Sequence, residues 1–313
     1  MIRSTFTVAS SVPRRLLSFS STTMASGPYS FNVNLQLNLK PLGSNDFLRT
    51  ERISFENDGN RYEVDVVLQD TLPEGSPKGT VIATGGSPGS HRDFRYISNH
   101  LQKMGIRYVG INFSGYGDTT WNPKLQQTWQ ERLAYVQAVV DKLQLKENLV
   151  FMGHSMGTEP ALKAAVQNKD KTAGIVLVNP IGFHPHRALR PFFKIQAMYY
   201  FWRLRSIFGG VIDKIVARSE FDTSVVQADF PQQKPFVEKF NETKMRGLLA
   251  CAGKDPYIGM DTSTEFVSAF KSRADLTDKA SKYKVSAVIV SRLQNLPSET
   301  PVVILRRLES RLG

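Results

Sequence analysis

Leu149-Val150-Phe151-Met152, then Gly153-His154-Ser155-Met156-Gly157, then a run to Val166 containing Ala161, Leu162, Ala164 and Ala165, is the stretch on which the fold turns. Four apolar residues read as the end of a buried strand. The pentapeptide reads as a tight turn, and the run after it as a helix. A serine at the tip of a strand–turn–helix, with a glycine two residues away on each side, is a nucleophile elbow. A side chain at Gly153 or Gly157 would collide where strand and helix nearly touch. The helix N-terminus adds partial positive charge and amide donors that favour a developing oxyanion. The competing assignment is a serine that merely N-caps a helix. Pro160 lacks an amide, which moves the expected start of the regular helix toward Thr158.

Working outward, the same rhythm repeats. Thr80–Thr84 and Tyr108–Phe113 read as short buried strands before the elbow, and Gly174–Pro180 and Gly247–Gly253 as strands after it. Amphipathic segments at 93–104 and 128–143 separate the early ones. Strands alternating with helices predict a mostly parallel sheet with helices on both faces. In such sheets, sites form at the carboxyl ends of strands. Upstream, Phe31–Lys40, Ile53–Asn57 and Tyr62–Leu68 read as antiparallel strands, the last two joined around Asp58-Gly59-Asn60. Residues 183–245 break the rhythm with the apolar, aromatic run Phe192–Trp202 and helical patterns at 207–216 and 235–240. This span reads as a helical insertion: a lid lining an apolar pocket, a packing helix, or a helix lying on a membrane surface. The expected organisation is a leader over 1–26, core over 27–182, insertion over 183–245 and core again over 246–313.

Composition narrows the classes. The chain has 313 residues, 41% hydrophobic, with a formal net charge of +12. That size supports a large α/β core. The charge is spread along the chain without a zinc-finger spacing or a basic–aromatic motif, so nucleic acid is not an expected partner. No apolar run reaches the roughly 18 residues of a membrane span. The single cysteine, Cys251, lies in the apolar run Leu248–Cys251 and reads as a core residue. Met1–Ser26 carries Arg3, Arg14 and Arg15, many Ser and Thr residues and no acid before Asp46. That composition reads as a mitochondrial or plastid transit peptide, here taken as mitochondrial, with a disordered tail on a cytoplasmic protein as the alternative. No metal or cofactor motif is evident; Gly85-Gly86 with Gly89 has the wrong spacing for a dinucleotide fingerprint.

Four motifs in order resemble those of the α/β-hydrolase superfamily, in the branch of esterases, lipases and epoxide hydrolases. Gly85-Gly86-Ser87-Pro88-Gly89 resembles the oxyanion loop His-Gly-x-Pro-Gly, with glycine in place of histidine. Asn112–Thr119 resembles the Asp-x-Arg-Gly-x-Gly-x-Ser turn, differing at Asn112, Ser114 and Thr119. Gly153–Gly157 is the elbow, and Gly253-Lys254-Asp255-Pro256 resembles the acid loop of the triad. The resemblance implies Ser155 as nucleophile and the amides of Ser87 and Met156 as the oxyanion hole. It implies Asp255 as the acid orienting a histidine. A serine nucleophile points to hydrolysis of a carboxylic ester, thioester or amide through an acyl-enzyme, and the leading expectation is an apolar acyl ester or thioester.

One member is missing. The histidines are His91, His100, His154, His184 and His186, all before Asp255. Neither apolar run of the last segment, 283–290 or 301–307, is followed by one. Three explanations remain open: an altered product of its gene, a hydrolase-fold protein that binds a ligand or partner with little chemistry, or a substitute base. His91, His184 and His186 are expected near the mouth of the site. His154, inside the elbow turn, is assigned no catalytic role.

Overall fold

The computed structural model describes residues 41–43, 45–185, 193, 196–197, 200, 227–252, 255, 257–275 and 285–290. All belong to the unit Asn32–Gly313. The expected transit peptide, the strand at 31–40, the helix at 207–216, most of 192–202 and the apolar run at 301–307 lie outside the described residues.

The chain first forms a hairpin of β1 (Leu48–Asn57) and β2 (Asn60–Asp70). Asp58 and Gly59 have φ of 49° and 72°, the left-handed pair that a two-residue hairpin turn requires. The strands are longer than expected from apolar residues alone, because Leu48–Arg52 pairs with Asp65–Gln69 whatever its side chains. Ile53, Phe55, Val64, Val66 and Leu68 alternate inward, so one hairpin face is core and the other is wet.

The alternating part follows: β3 (Thr80–Thr84), α1 (Arg95–Lys103), β4 (Arg107–Ile111), α2 (Trp129–Lys142), β5 (Leu149–His154), α3 (Thr158–Gln167) and β6 (Thr172–Val178). Then come α4 (Gln233–Asn241), β7 (Arg246–Ala252), α5 (Met260–Ser268), β8 (Arg273–Asp275) and β9 (Val285–Val290). Expected boundaries hold within a few residues. The exception is 93–104, where the short 3₁₀ turn His91–Phe94 precedes the α-helix because Ser90 and Asp93 cap it reciprocally. Thr128 caps α2 as the pattern implies, its hydroxyl accepting from the Glu131 amide.

The strands form one nine-stranded sheet in the order β1-β2-β4-β3-β5-β6-β7-β9-β8. Only β2 and β9 run against the rest. The strands from β3 to β7 are buried on both faces, as their apolar sequences require. On one face Phe94, Ile97 and Leu101 of the first turn and α1 cover Val81, Tyr108, Met152 and Val176. On the other, α2, α3 and α4 cover Ile82, Val109, Phe151, Ile175 and Leu249. Fully burying each such side chain contributes about 1.5–3 kcal/mol. Val237 and Phe240 of α4 join this second core, so that helix, inside the span read as an insertion, is a layer of the core.

The end of the sheet departs from expectation. β9 pairs antiparallel with β7, Val285 opposite Ala252 and Val290 opposite Gly247. Val290 therefore lies at the end of the sheet remote from the elbow. The run at 283–290 does supply a strand, but its carboxyl end faces the wrong edge for a loop that would bring a base to Ser155.

Candidate active site

Ser155 sits at the junction of β5 and α3, half-buried, with φ of 50°. A residue with a Cβ occupies that left-handed region only when its surroundings enforce it. Here they do. A Cβ on Gly153 would lie 2.5 Å from the Gly157 carbonyl oxygen and from the Thr158 Cα. One on Gly157 would overlap the carbonyl oxygens of Thr84 and Gly85. The Thr84 hydroxyl donates to the Gly157 oxygen at 2.7 Å and fastens the end of β3 to the elbow. The Thr158 hydroxyl donates to the Ser155 carbonyl at 2.6 Å, and α3 starts at Thr158.

The loop after β3 folds against this turn. A Cβ on Gly86 would lie 3.3 Å from the Ser155 Cβ and 3.2 Å from His154 Nδ1. The loop is wound around the carboxylate of Asp93. That carboxylate accepts from the Gly86 amide at 2.8 Å and the Ser90 amide at 3.2 Å, and pairs with His154 Nδ1 at 2.9 Å. Burial pushes the Asp93 carboxyl up, but the His154 and Gly86 hydrogen bonds outweigh it and hold the group below its usual range. The Gly86 amide is thus taken up by Asp93, and Ser87, the expected oxyanion donor, is the next residue of this loop. Met156, the other expected donor, is the buried residue after Ser155.

Asp255 follows β7 at the same edge of the sheet. Its Oδ1 accepts from the amides of Tyr257 and Ile258 at 2.8 and 3.0 Å. Asn179, at φ of 46° after β6, holds the preceding turn: its side chain accepts from the Ala252 amide at 2.7 Å. Asp93, Thr84 and Asn179 were not singled out in the sequence. Only Asp93 left a signal there, the spacing Ser90-x-x-Asp93 of a reciprocal cap.

The histidines divide. His91 is buried, its Nδ1 3.1 Å from Asn112 Oδ1, which corrects its reading as a residue at the mouth. Asn112, standing where the family turn usually has aspartate, thus serves as acceptor for both the ring and the backbone of His91. His184 is exposed and pairs with Glu265 at 3.3 Å. His154 faces Asp93. His186 lies outside the described residues. Among the described residues no histidine ring is hydrogen-bonded to Ser155.

Cys251 is no competing nucleophile. It is buried in β7, and burial pushes its thiol up to about 11. In native protein at pH 8 it should react with iodoacetamide roughly 100-fold more slowly than an exposed thiol with its usual pKa. Mass spectrometry with and without denaturant checks this; equal rates would mean that the strand opens.

The family model described as alpha/beta hydrolase of unknown function (DUF1057) matches residues 47–291. This chain is a member of that family. An uncharacterized protein of Caenorhabditis elegans is 32% identical over 154 residues, 46% of this chain and 43% of that protein. The chain thus matches less than half the length of this relative. The AB hydrolase superfamily protein YisY of Bacillus subtilis is 36% identical over 85 residues, 26% of this chain and 30% of that one. In fold, this α/β-hydrolase is similar to a monoacylglycerol lipase of Paleococcus ferrophilus, with a TM-score of 0.51 at 15% identity, over 66% of this chain and 85% of that one. It is also similar to an esterase of Thermogutta terrifontis, with a TM-score of 0.50 at 14% identity, over 71% and 87% of the two chains. At such identities these likenesses speak for the fold alone.

Proposed function

We propose that this α/β-hydrolase cleaves a carboxylic ester or thioester with an apolar acyl group, through an acyl-enzyme on Ser155. The observation that carries this reading is the backbone of Ser155, at φ of 50° between glycines that admit no side chain. In the reaction the Ser155 oxygen bonds to the acyl carbon, the bond to the leaving group breaks, and the leaving group takes the serine proton. Water then displaces Ser155 and releases the acid. The amides of Met156 and Ser87 would hold the oxyanion, and Asp255 would stand as the acid of the triad. Met156, Ile181, Phe230 and Ile258 form a small buried apolar cluster beside the elbow. A fluorophosphonate probe tests the reading. Ser155 should be labelled in the wild-type protein and no label should appear in Ser155→Ala; an unlabelled wild type rejects it.

A second reading is a hydrolase-fold protein that binds an apolar ligand with little turnover. The placement of the histidine rings and the direction of β9 favour it. Hydrolysis of p-nitrophenyl acyl esters separates the two. Turnover near that of a complete triad would exclude the binding reading, because losing the base costs about 10³-fold or more. The arginine-rich, acid-free start of the chain supports a mitochondrial address. Fusion of residues 1–26 to a fluorescent reporter should send it to mitochondria, and a purely cytosolic signal would reject that address.

A further inference from the structure

We propose that Asp93 and His154 are a positioning pair, which holds the oxyanion loop against the elbow and thereby sets the reactivity of Ser155; this rests on the serine-hydrolase reading above. The triad has no place for either residue, yet their contact joins the two walls of the site at the reacting residue itself. His154 is the residue before Ser155 in the chain, and its Nδ1 lies 2.9 Å from Asp93 Oδ2. The same Oδ2 accepts from the Gly86 amide at 2.8 Å, while Oδ1 accepts from Ser90 at 3.2 Å. One carboxylate therefore spans the loop after β3 and the end of β5. The pair lies near the rim, its side chains 38% and 20% exposed for His154 and Asp93. Phe94 meets the imidazole edge-on, with centroids 6.4 Å apart, and limits its rotation.

The chemistry explains why such a pair is needed. Gly86, like Gly85 and Gly89 in the same loop, has no Cβ and is conformationally free. A Cβ there would lie 3.2 Å from His154 Nδ1 and 3.3 Å from the Ser155 Cβ, so a larger residue would crowd the elbow. Without an anchor, the Gly86 peptide planes turn at little cost, and the Ser87 amide turns with them. Hydrogen bonds to an ionised carboxylate are about twice as strong as neutral ones, so Asp93 is a firm anchor. Gly89 packs onto the same oxygen, where a Cβ would come within 2.8 Å of Asp93 Oδ2. Asp93 thus fixes the amide one position before Ser87, and His154 fixes Asp93 to the elbow. Neither acts on substrate directly, so both are positioning residues.

The test is the second-order rate of fluorophosphonate labelling at Ser155 in wild type, Asp93→Ala, His154→Ala, His154→Asn and the Asp93→Ala/His154→Ala double variant. Asp93→Ala should be roughly 100-fold slower, the scale of losing one oxyanion donor. His154→Ala should be about 10-fold slower. His154→Asn, which keeps a donor near the position of Nδ1, should recover most of that loss. The double variant should be no slower than Asp93→Ala, since the pair acts as a unit. Backbone exchange in the peptide over 84–90 should rise in Asp93→Ala, a change that loss of reactivity elsewhere would not cause. If Asp93→Ala does not fold, the contrast between His154→Ala and His154→Asn decides. Wild-type labelling rates in both single variants, or additive losses, overturn the pair and leave Ser155 as nucleophile. An unlabelled wild type overturns the pair and the hydrolase reading together.

Discussion

Gly157→Ala is expected to lower stability by about 3 kcal/mol or more and to slow labelling of Ser155 at least ~100-fold. Two effects oppose each other. Gly157 has φ of −69°, an ordinary helical value, so backbone preference alone favours alanine by up to about 1 kcal/mol. The added methyl, however, lands on the carbonyl oxygens of Thr84 and Gly85. Both are backbone atoms, so no side-chain rotation relieves the overlap. The end of β3 and the start of α3 must separate, which also strains the Thr84 hydroxyl bond to Gly157. The oxyanion loop begins at Gly85, so stability and reactivity should fall together. Urea unfolding with an unchanged m-value, alongside the labelling rate, measures both. A gain in stability would show that the elbow has slack and that the steric account is wrong.

Glu159→Ala should cost about 3–5 kcal/mol. Glu159 lies on the first turn of α3, fully buried, and pairs with Lys163 at 2.9 Å and with Arg132. Both cations are buried as well, at 0% and 3% side-chain exposure. The Lys163 ammonium rests over the ring of Trp129, 3.8 Å from its centroid, which offsets part of its desolvation. Removing the carboxylate leaves two buried cations without the anion that pairs with both, although Asp229 still acts on Lys163 and Glu131 on Arg132. Burial already pushes the Lys163 ammonium down, and Glu159 pulls it partly back up. A lysine lowered on folding leaves the unfolded chain holding more protons in the window between the lowered value and 10.5. Wild-type stability should therefore rise with pH in that window from this group, and the burial penalty is full below it. In Glu159→Ala the window should widen downward. Denaturant midpoints across pH test both parts, and a loss below about 1 kcal/mol would mean that the cluster hydrates easily.

Much of the site was legible because its signals are local. Gly153, Ser155 and Gly157 announce a turn through spacing alone, and Gly85-Gly86-Ser87-Pro88-Gly89 announces a loop too small for side chains. The roles of Asp93 and Asn179 were not legible. Asp93 sits 61 residues before His154, and Asn179 is 73 residues before Ala252. A short polar side chain at a turn looks the same whether it caps its own helix or bridges two strands. The histidines show the same limit: His91 and His184 follow strand ends alike in sequence, but one is buried on Asn112 and the other exposed beside Glu265.

Periodicity and glycine placement, by themselves, determined an α/β sheet with an antiparallel hairpin at its start and a serine raised on an elbow. These are consequences of covalent spacing and of the space a Cβ needs. Tertiary structure alone decided that Asp93 ties the loop to the elbow and that α4 joins the core. It also decided that β9 runs against β7. Strand direction depends on which neighbour supplies the partner amides, and that choice is made between residues distant in the chain, where no local pattern records it.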